Sequence, residues 1–221
     1  MTTIPVRRFA ALVVAAFLLA ACSSSKDAVE TGQDFTFVAP GGQTTIVYDP
    51  PESRGALRQL SGESLLKSGA TVGLENLAGR VVVLNIWGSW FGPCRAEAPD
   101  LEFVAQQTAA DGVSVLGVDV RDDRDAAADF VRDRGITYDS VFDPPGRTLA
   151  ALRGYPRNTV PSTIVLDRQH RVAAVYLTSI RVPELIPLVQ RLADSAYVAA
   201  TTRVSNVMSL RSSKRSATWL R

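Results

Sequence analysis

Apolar positions along the middle of the chain alternate between two periods. Val81-Val82-Val83-Leu84-Asn85-Ile86-Trp87 is a nearly unbroken β-branched and apolar run, which predicts a central parallel strand covered on both faces by helices. Val113 to Val120 repeats that pattern. Between them, Arg95 to about Gln107 reads as a helix carrying Leu101, Val104, Ala105 and Thr108 on one face. Pro99 lies inside it and predicts a kink, since proline removes a backbone donor and crowds the preceding turn. A second helix follows over Asp125 to Arg134, capped by Asp122 or Asp123 and ended by Gly135. Strand, helix and strand in succession argue for a parallel sheet with right-handed crossovers.

After this unit the pattern shortens. Ile136 to Phe142 is extended, Pro144-Pro145-Gly146 is a turn, and Arg147 to Arg153 is a short helix closed by Gly154. The runs Ser162 to Asp167 and Arg171 to Leu177 are joined by a tight polar turn at Arg168 to His170, so they pair antiparallel. A last helix starts near Pro183 and reaches about Ala193. Upstream, Phe35 to Val38 and Thr44 to Tyr48 read as a short hairpin across Gly41-Gly42, ended by Asp49-Pro50-Pro51. Leu65 to Leu77 reads as an edge strand or a loop.

The chain has 221 residues, of which 46% are hydrophobic and 21% charged, enough for one globular domain with appendages. Its start reads as a leader, with Arg7 and Arg8 ahead of an apolar run from Phe9 to Ala20. That run is shorter than the roughly 20 apolar residues of a membrane span. Leu19-Ala20-Ala21-Cys22 resembles the lipobox of bacterial lipoproteins. The resemblance implies a signal peptide over 1–21, lipid on Cys22, and a tether and N-terminal extension over 22–55. It places the protein on the extracytoplasmic face of the bacterial cell membrane. The alternative is an uncleaved signal anchor that happens to end in a cysteine.

Charge is unevenly spread. Of the net +2, Arg7 and Arg8 carry +2 and the segment 194–221 carries +4, which leaves 22–193 at −4. A mildly acidic domain has no attraction to nucleic acid. The segment 194–221, rich in Ser, Thr and Arg, reads as a basic flexible tail, with contact to anionic lipid headgroups as a second reading.

The chemistry concentrates in Trp87-Gly88-Ser89-Trp90-Phe91-Gly92-Pro93-Cys94. Together with Val82 to Trp87, with Arg95-Ala96-Glu97-Ala98-Pro99-Asp100-Leu101 and with Val160-Pro161-Ser162-Thr163-Ile164-Val165-Leu166-Asp167, this loop resembles the TlpA/ResA group of membrane-tethered thiol-disulfide oxidoreductases. The resemblance covers roughly 56–193 and implies a thioredoxin-like three-layer α/β sandwich, with a central mixed sheet and a C-terminal antiparallel hairpin. It further implies that Phe91 stands at the position of the attacking cysteine and Cys94 at that of the resolving one. Trp90, Gly92, Pro93, Val160 and Pro161 would then line a substrate groove, with a cis bond before Pro161. Implied partners are cysteine-containing polypeptides such as apocytochrome c and a CcdA-type membrane thiol reductase, as in cytochrome c maturation.

Phenylalanine supplies neither a nucleophile nor a proton, so the usual exchange cycle stops at Phe91. If Cys22 is acylated, Cys94 has no partner in its own chain. Whether the chain is an enzyme is therefore open. Cys94 is either a reactive thiol or a small inert core residue. Glu97 is either a proton carrier beside it or an acid in the first helical turn, favoured there by the helix dipole. Trp87 and Trp90 flank the loop, Asn85 requires a buried hydrogen-bond partner, and His170 falls in a solvated turn. One thiol and one histidine do not make a metal site, and no pattern calls for a cofactor. Three readings follow: an impaired exchange protein, a non-catalytic module that binds cysteine-containing polypeptides, or a decayed copy.

Overall fold

The computed structural model of the protein describes residues 34–195. The leader, Cys22, the first part of the tether and nearly all of the basic tail lie outside these residues. Eight strands and three long helices are present among them. The strands are β1 (Thr45–Val47), β2 (Ser61–Glu63), β3 (Thr71–Gly73), β4 (Val81–Trp87), β5 (Val113–Asp119), β6 (Ser140–Phe142), β7 (Ser162–Leu166) and β8 (Val172–Tyr176). The helices are α1 (Gly92–Thr108), α2 (Arg124–Asp133) and α3 (182–195).

Six strands form one sheet in the order β1-β8-β7-β4-β5-β6, and β2 pairs with β3 separately. β4, β5 and β6 are parallel, whereas β7, β8 and β1 are antiparallel additions. This is the expected thioredoxin-like α/β sandwich with its mixed sheet and C-terminal hairpin. All seven residues of β4 are buried, as its unbroken apolar run requires. Asp123 caps α2 by accepting from the amides of Asp125 and Ala126, and Gly135 follows the helix at φ 63°. His170 turns the β7–β8 hairpin at φ 54°, and its Nε2 lies 3.1 Å from the Leu77 carbonyl oxygen.

The layers differ from the expectation of helices on both faces. Val81, Val83, Val113, Val115 and Val165 point to the side that holds Leu101 and Val104 of α1 and Leu185, Leu188, Val189 and Leu192 of α3. Trp87 meets α2 on this same side, through Phe130 and Val131. The opposite face carries Val82, Leu84, Ile86, Leu116, Val118, Ile164 and Leu166, and among the described residues none of a long helix covers it. It is closed by Phe35, Phe37, Leu57, Leu60 and Leu74, with Leu149, Leu152 and Tyr155 from 3-10 turns and their flanks. Right-handed crossovers from β4 to β5 and from β5 to β6 run in one direction across the sheet, so both place their helix on the same side.

The predicted hairpin upstream does not form. β1 pairs with the outer edge of β8, while Phe35 and Phe37 donate their amides to the Ala56 and Arg153 carbonyls at 2.9 and 2.7 Å. Burial decides this: Phe37 packs edge-on to Tyr155, a contact that a local hairpin cannot supply, while Phe35 keeps an edge-on contact with Tyr48 without pairing with its strand. Leu65 to Leu77 contains β3 and a 3-10 turn at Leu74–Leu77, and α1 runs through Pro99 and begins three residues earlier than expected.

Candidate functional site

β4 ends at Trp87 and α1 begins at Gly92, so four residues turn the chain at the end of the sheet. Gly88 has no Cβ because the Trp90 indole folds back over it, and an added carbon would strike Nε1. That indole N–H donates to the Val120 carbonyl at 3.3 Å, which ties the loop to the end of β5 while leaving Trp90 48% exposed. Phe91 is the N-cap of α1 in extended backbone, and its ring offers no capping acceptor. The ring lies half-buried against a cluster formed by Leu65, Trp87, Cys94, Ala98, α2 and Ile136.

Cys94 is inside that cluster. It is 2% exposed and free, and its pKa is pushed up to about 12. Loss of water is the main cause; the Gly88 backbone opposes it, the Glu97 charge adds to it, and Arg121 acts weakly the other way. At neutral pH the sulfur is a thiol, and thiols do not attack disulfides. The Val160–Pro161 bond is cis; Val160 packs on the same cluster as Phe91 and Cys94, and Pro161 is buried. Gly92 and Pro93 are exposed at the mouth of the helix. The structure thus joins Phe91, Cys94 and Val160 through one apolar cluster, with Trp90, Gly92 and Pro93 at the exposed loop.

A polar row crosses the helix side of the sheet just behind the loop. Thr163, Asn85, Gly117 and Ser140 are register partners on β7, β4, β5 and β6. The buried partner that Asn85 requires is Glu97: Asn85 Nδ2 donates to Glu97 Oε1 at 2.9 Å, with Thr163 Oγ1 as a second contact at 3.3 Å. Glu97 also accepts from the Ile180 amide at 3.2 Å and is 1% exposed. Burial raises its pKa to about 7, against the lowering effect of these two hydrogen bonds. Because α1 starts at Gly92, Glu97 belongs to its second turn, so of its two readings the acid in the first helical turn does not hold; it is a buried carboxyl with its pKa raised to about 7.

Sequence reasoning missed Asp119 and the role of Asp122. Asp119 is fully buried at the end of β5, with neither oxygen paired to a donor other than its acidic neighbour. Burial first, then the charge of Asp122 and a hydrogen bond with it, raise the Asp119 pKa to about 9, so it holds its proton at neutral pH. Asp122 in turn accepts from the Ser89 amide at 2.5 Å and the Ser89 hydroxyl at 3.0 Å, which anchors the loop. A polar side chain in an otherwise apolar strand was the available signal, as it was for Asn85. The Trp87 Nε1 and Ser140 Oγ atoms are buried beside Gly117 without a hydrogen-bond partner. Among the described residues, no three His, Cys, Asp or Glu side chains group as metal ligands.

The family model described as AhpC/TSA matches residues 59–175, more than half of the chain. The chain belongs to the AhpC/TSA family. Proteins named as thiol-disulfide oxidoreductases or interchange proteins are among its relatives. It is 28% identical over 108 residues to the thiol-disulfide oxidoreductase ResA of Bacillus subtilis, covering 49% of this chain and 59% of that one. It is 31% identical over 124 residues to the thiol:disulfide interchange protein DsbE of Pseudomonas aeruginosa, covering 54% and 65%. The chain therefore spans between half and two-thirds of these relatives' lengths. Among solved structures, a secreted thiol-disulfide isomerase from Corynebacterium glutamicum superposes with a TM-score of 0.71 at 42% identity, over 74% of this chain and 99% of that one. A DsbF homologue from Corynebacterium diphtheriae gives a TM-score of 0.66 at 44% identity, over 73% and 99%.

Proposed function

We propose that this member of the AhpC/TSA family is an extracytoplasmic, membrane-tethered thioredoxin-like protein that holds cysteine-containing polypeptides at its loop, with the two-cysteine exchange cycle blocked at Phe91. One observation carries the reading: the single thiol at the helix mouth, Cys94, is buried behind Phe91 with its pKa near 12. A sulfur in that state neither attacks nor leaves readily. The exposed Trp90, Gly92 and Pro93, with half-buried Val160 on the cluster behind Phe91 and Pro161 buried behind it, are the site at which an extended polypeptide would lie. Lipid on Cys22, the tether over 22–55, the domain over 56–193 and the basic tail complete the proposal. Apocytochrome c thiols are the client class that the sequence resemblance implies, and a CcdA-type reductase is a partner only to the extent that Cys94 exchanges electrons.

Insulin reduction driven by dithiothreitol tests the blocked cycle. Wild type is expected to show no turnover above the reagent, and Phe91→Cys is expected to gain it, since a thiol at the N-cap of α1 meets the helix dipole that favours a thiolate. Capture of a cysteine-containing peptide is expected to survive Cys94→Ser. Equal turnover by wild type and Phe91→Cys, or loss of all capture in Cys94→Ser, overturns the reading.

A further inference from the structure

Beside the loop, a polar cleft of about 390 Å³ opens between Val120-Arg121, the turn 144–146 and the pair Arg157-Asn158. Two guanidinium groups line it and no carboxylate does. Arg121 donates to the Asn158 carbonyl at 3.4 Å and lies 4.9 Å from the centre of the Trp90 ring, a cation–π contact. Among the described residues, neither Arg121 nor Arg157 has an ion-pair partner, whereas Arg54, Arg124, Arg171 and Arg181 each have one. In a stretch whose net charge is −4, two adjacent arginines left unpaired at one cleft form a local positive site.

The backbone adds a second observation. Arg121 sits at φ 54°, in the left-handed region that a residue with a Cβ enters only under strain. It is held there by its amide, which donates to the Pro144 carbonyl at 2.9 Å, and by the Val120 amide, which donates to Trp87. Such strain is retained where the surrounding structure over-determines it, commonly at binding sites. Here it turns a guanidinium onto the exposed face of Trp90, at the junction of loop and cleft.

We propose that Arg121 and Arg157 form a subsite for a carboxylate, which takes an acidic side chain of the polypeptide held at the loop. The inference rests on the peptide-holding function proposed above and adds a client class: chains with Asp or Glu near the bound cysteine. Guanidinium forks match the planar carboxylate through paired N–H donors, and the Trp90 ring keeps Arg121 oriented for it.

The test uses the full-length protein and labelled cysteine-containing peptides in which a single Asp, or Asn in its place, is scanned along both flanks of the cysteine. At the best position the Asp peptide is expected to bind about three- to tenfold tighter than the Asn peptide, the scale of an exposed charge pair with fork geometry. The ratio should shrink with added salt. It should fall to near unity in Arg157→Gln, whose side chain makes no bond within the described protein. Equal binding of Asp and Asn peptides at every position overturns the subsite while leaving the groove in place. A ratio that persists in the Arg121→Gln, Arg157→Gln double variant overturns it as well. Failure of both peptides to bind removes the peptide-holding function, and the subsite with it. Inorganic phosphate that binds in an Arg157-dependent way, with no Asp preference among the peptides, assigns the arginines to free anions and overturns the peptide assignment.

Discussion

The two ends of the central sheet treat polar groups in opposite ways. At the end where β4 and β5 begin, arginines stitch the chain. Arg168 donates to the carbonyls of Gly79, Asp111 and Ala193, and Arg80 donates to Ser114 Oγ and to the Ala109 and Val113 carbonyls. At the end where the strands finish, two carboxyls are buried without an ion pair, an indole nitrogen and a hydroxyl have no partner, and one thiol is shut in apolar surroundings. The first end leaves only the Tyr48 hydroxyl unmet among the described residues, whereas the loop end holds the other buried side-chain atoms that lack a partner. Unmet polar groups cost stability and gather at functional sites, which is a physical reason to look for the site at the loop end.

Substitutions at each end sharpen or break this contrast. The largest effect is expected for Gly117→Ala, whose new Cβ would lie on Ser140 Oγ and within 2.8 Å of Trp87 Nε1. Crowding of that kind costs about 1–3 kcal/mol, and chemical denaturation should show a lower midpoint with an unchanged slope. No loss of stability would mean the polar row has slack that the contrast denies.

Asp119→Asn should act in the opposite direction. Between about pH 4 and pH 9 the folded protein keeps a proton on Asp119 that the unfolded chain has released, so stability falls as pH rises through that window. Asparagine cannot ionise and still offers Asp122 a donor. A gain of about 1–3 kcal/mol is expected at pH 8, shrinking towards zero near pH 4. A destabilised Asp119→Asn at pH 8 would falsify the protonated state assigned to this acid.

At the stitched end, Arg168→Gln should lose about 1–2 kcal/mol, the scale of charge-assisted hydrogen bonds at a half-exposed site, with little dependence on pH from 5 to 9. A pH-dependent loss would mean that this end too hides a titrating group. The smallest effect belongs to Glu97. In the Asp119→Asn background a residual fall in stability between about pH 4.5 and pH 7 should persist, since the Glu97 carboxyl is raised in the folded state over that range. Adding Glu97→Gln should flatten it, and a slope that survives both substitutions would assign it to another group.

Much of the architecture was legible in the residues. The unbroken apolar run of β4, the Asp123 cap and Gly135 stop of α2, and the short turn that forces β7 and β8 antiparallel are all local signals, because period, capping and turn length are properties of neighbouring residues. The position of Phe91 at the mouth of α1 came instead from the family resemblance, since the pattern alone started that helix at Arg95 rather than Gly92. Asn85 announced a buried partner without naming it.

What neighbours in sequence do not encode is the company a side chain meets after folding. Glu97 became a buried acid because β4 and the Ile180 amide close over it, and Asp119 became a neutral one because burial and the Asp122 charge outweigh the pull of Arg124. Phe35 and Phe37 left their hairpin because the face that α1, α2 and α3 leave uncovered offered them a core. Sequence alone thus determined the central strands and helices, their order and the chemistry available at the loop; tertiary structure decided where the N-terminal segment packs and which groups lose water, and desolvation is what sets whether a carboxyl or a thiol keeps its proton.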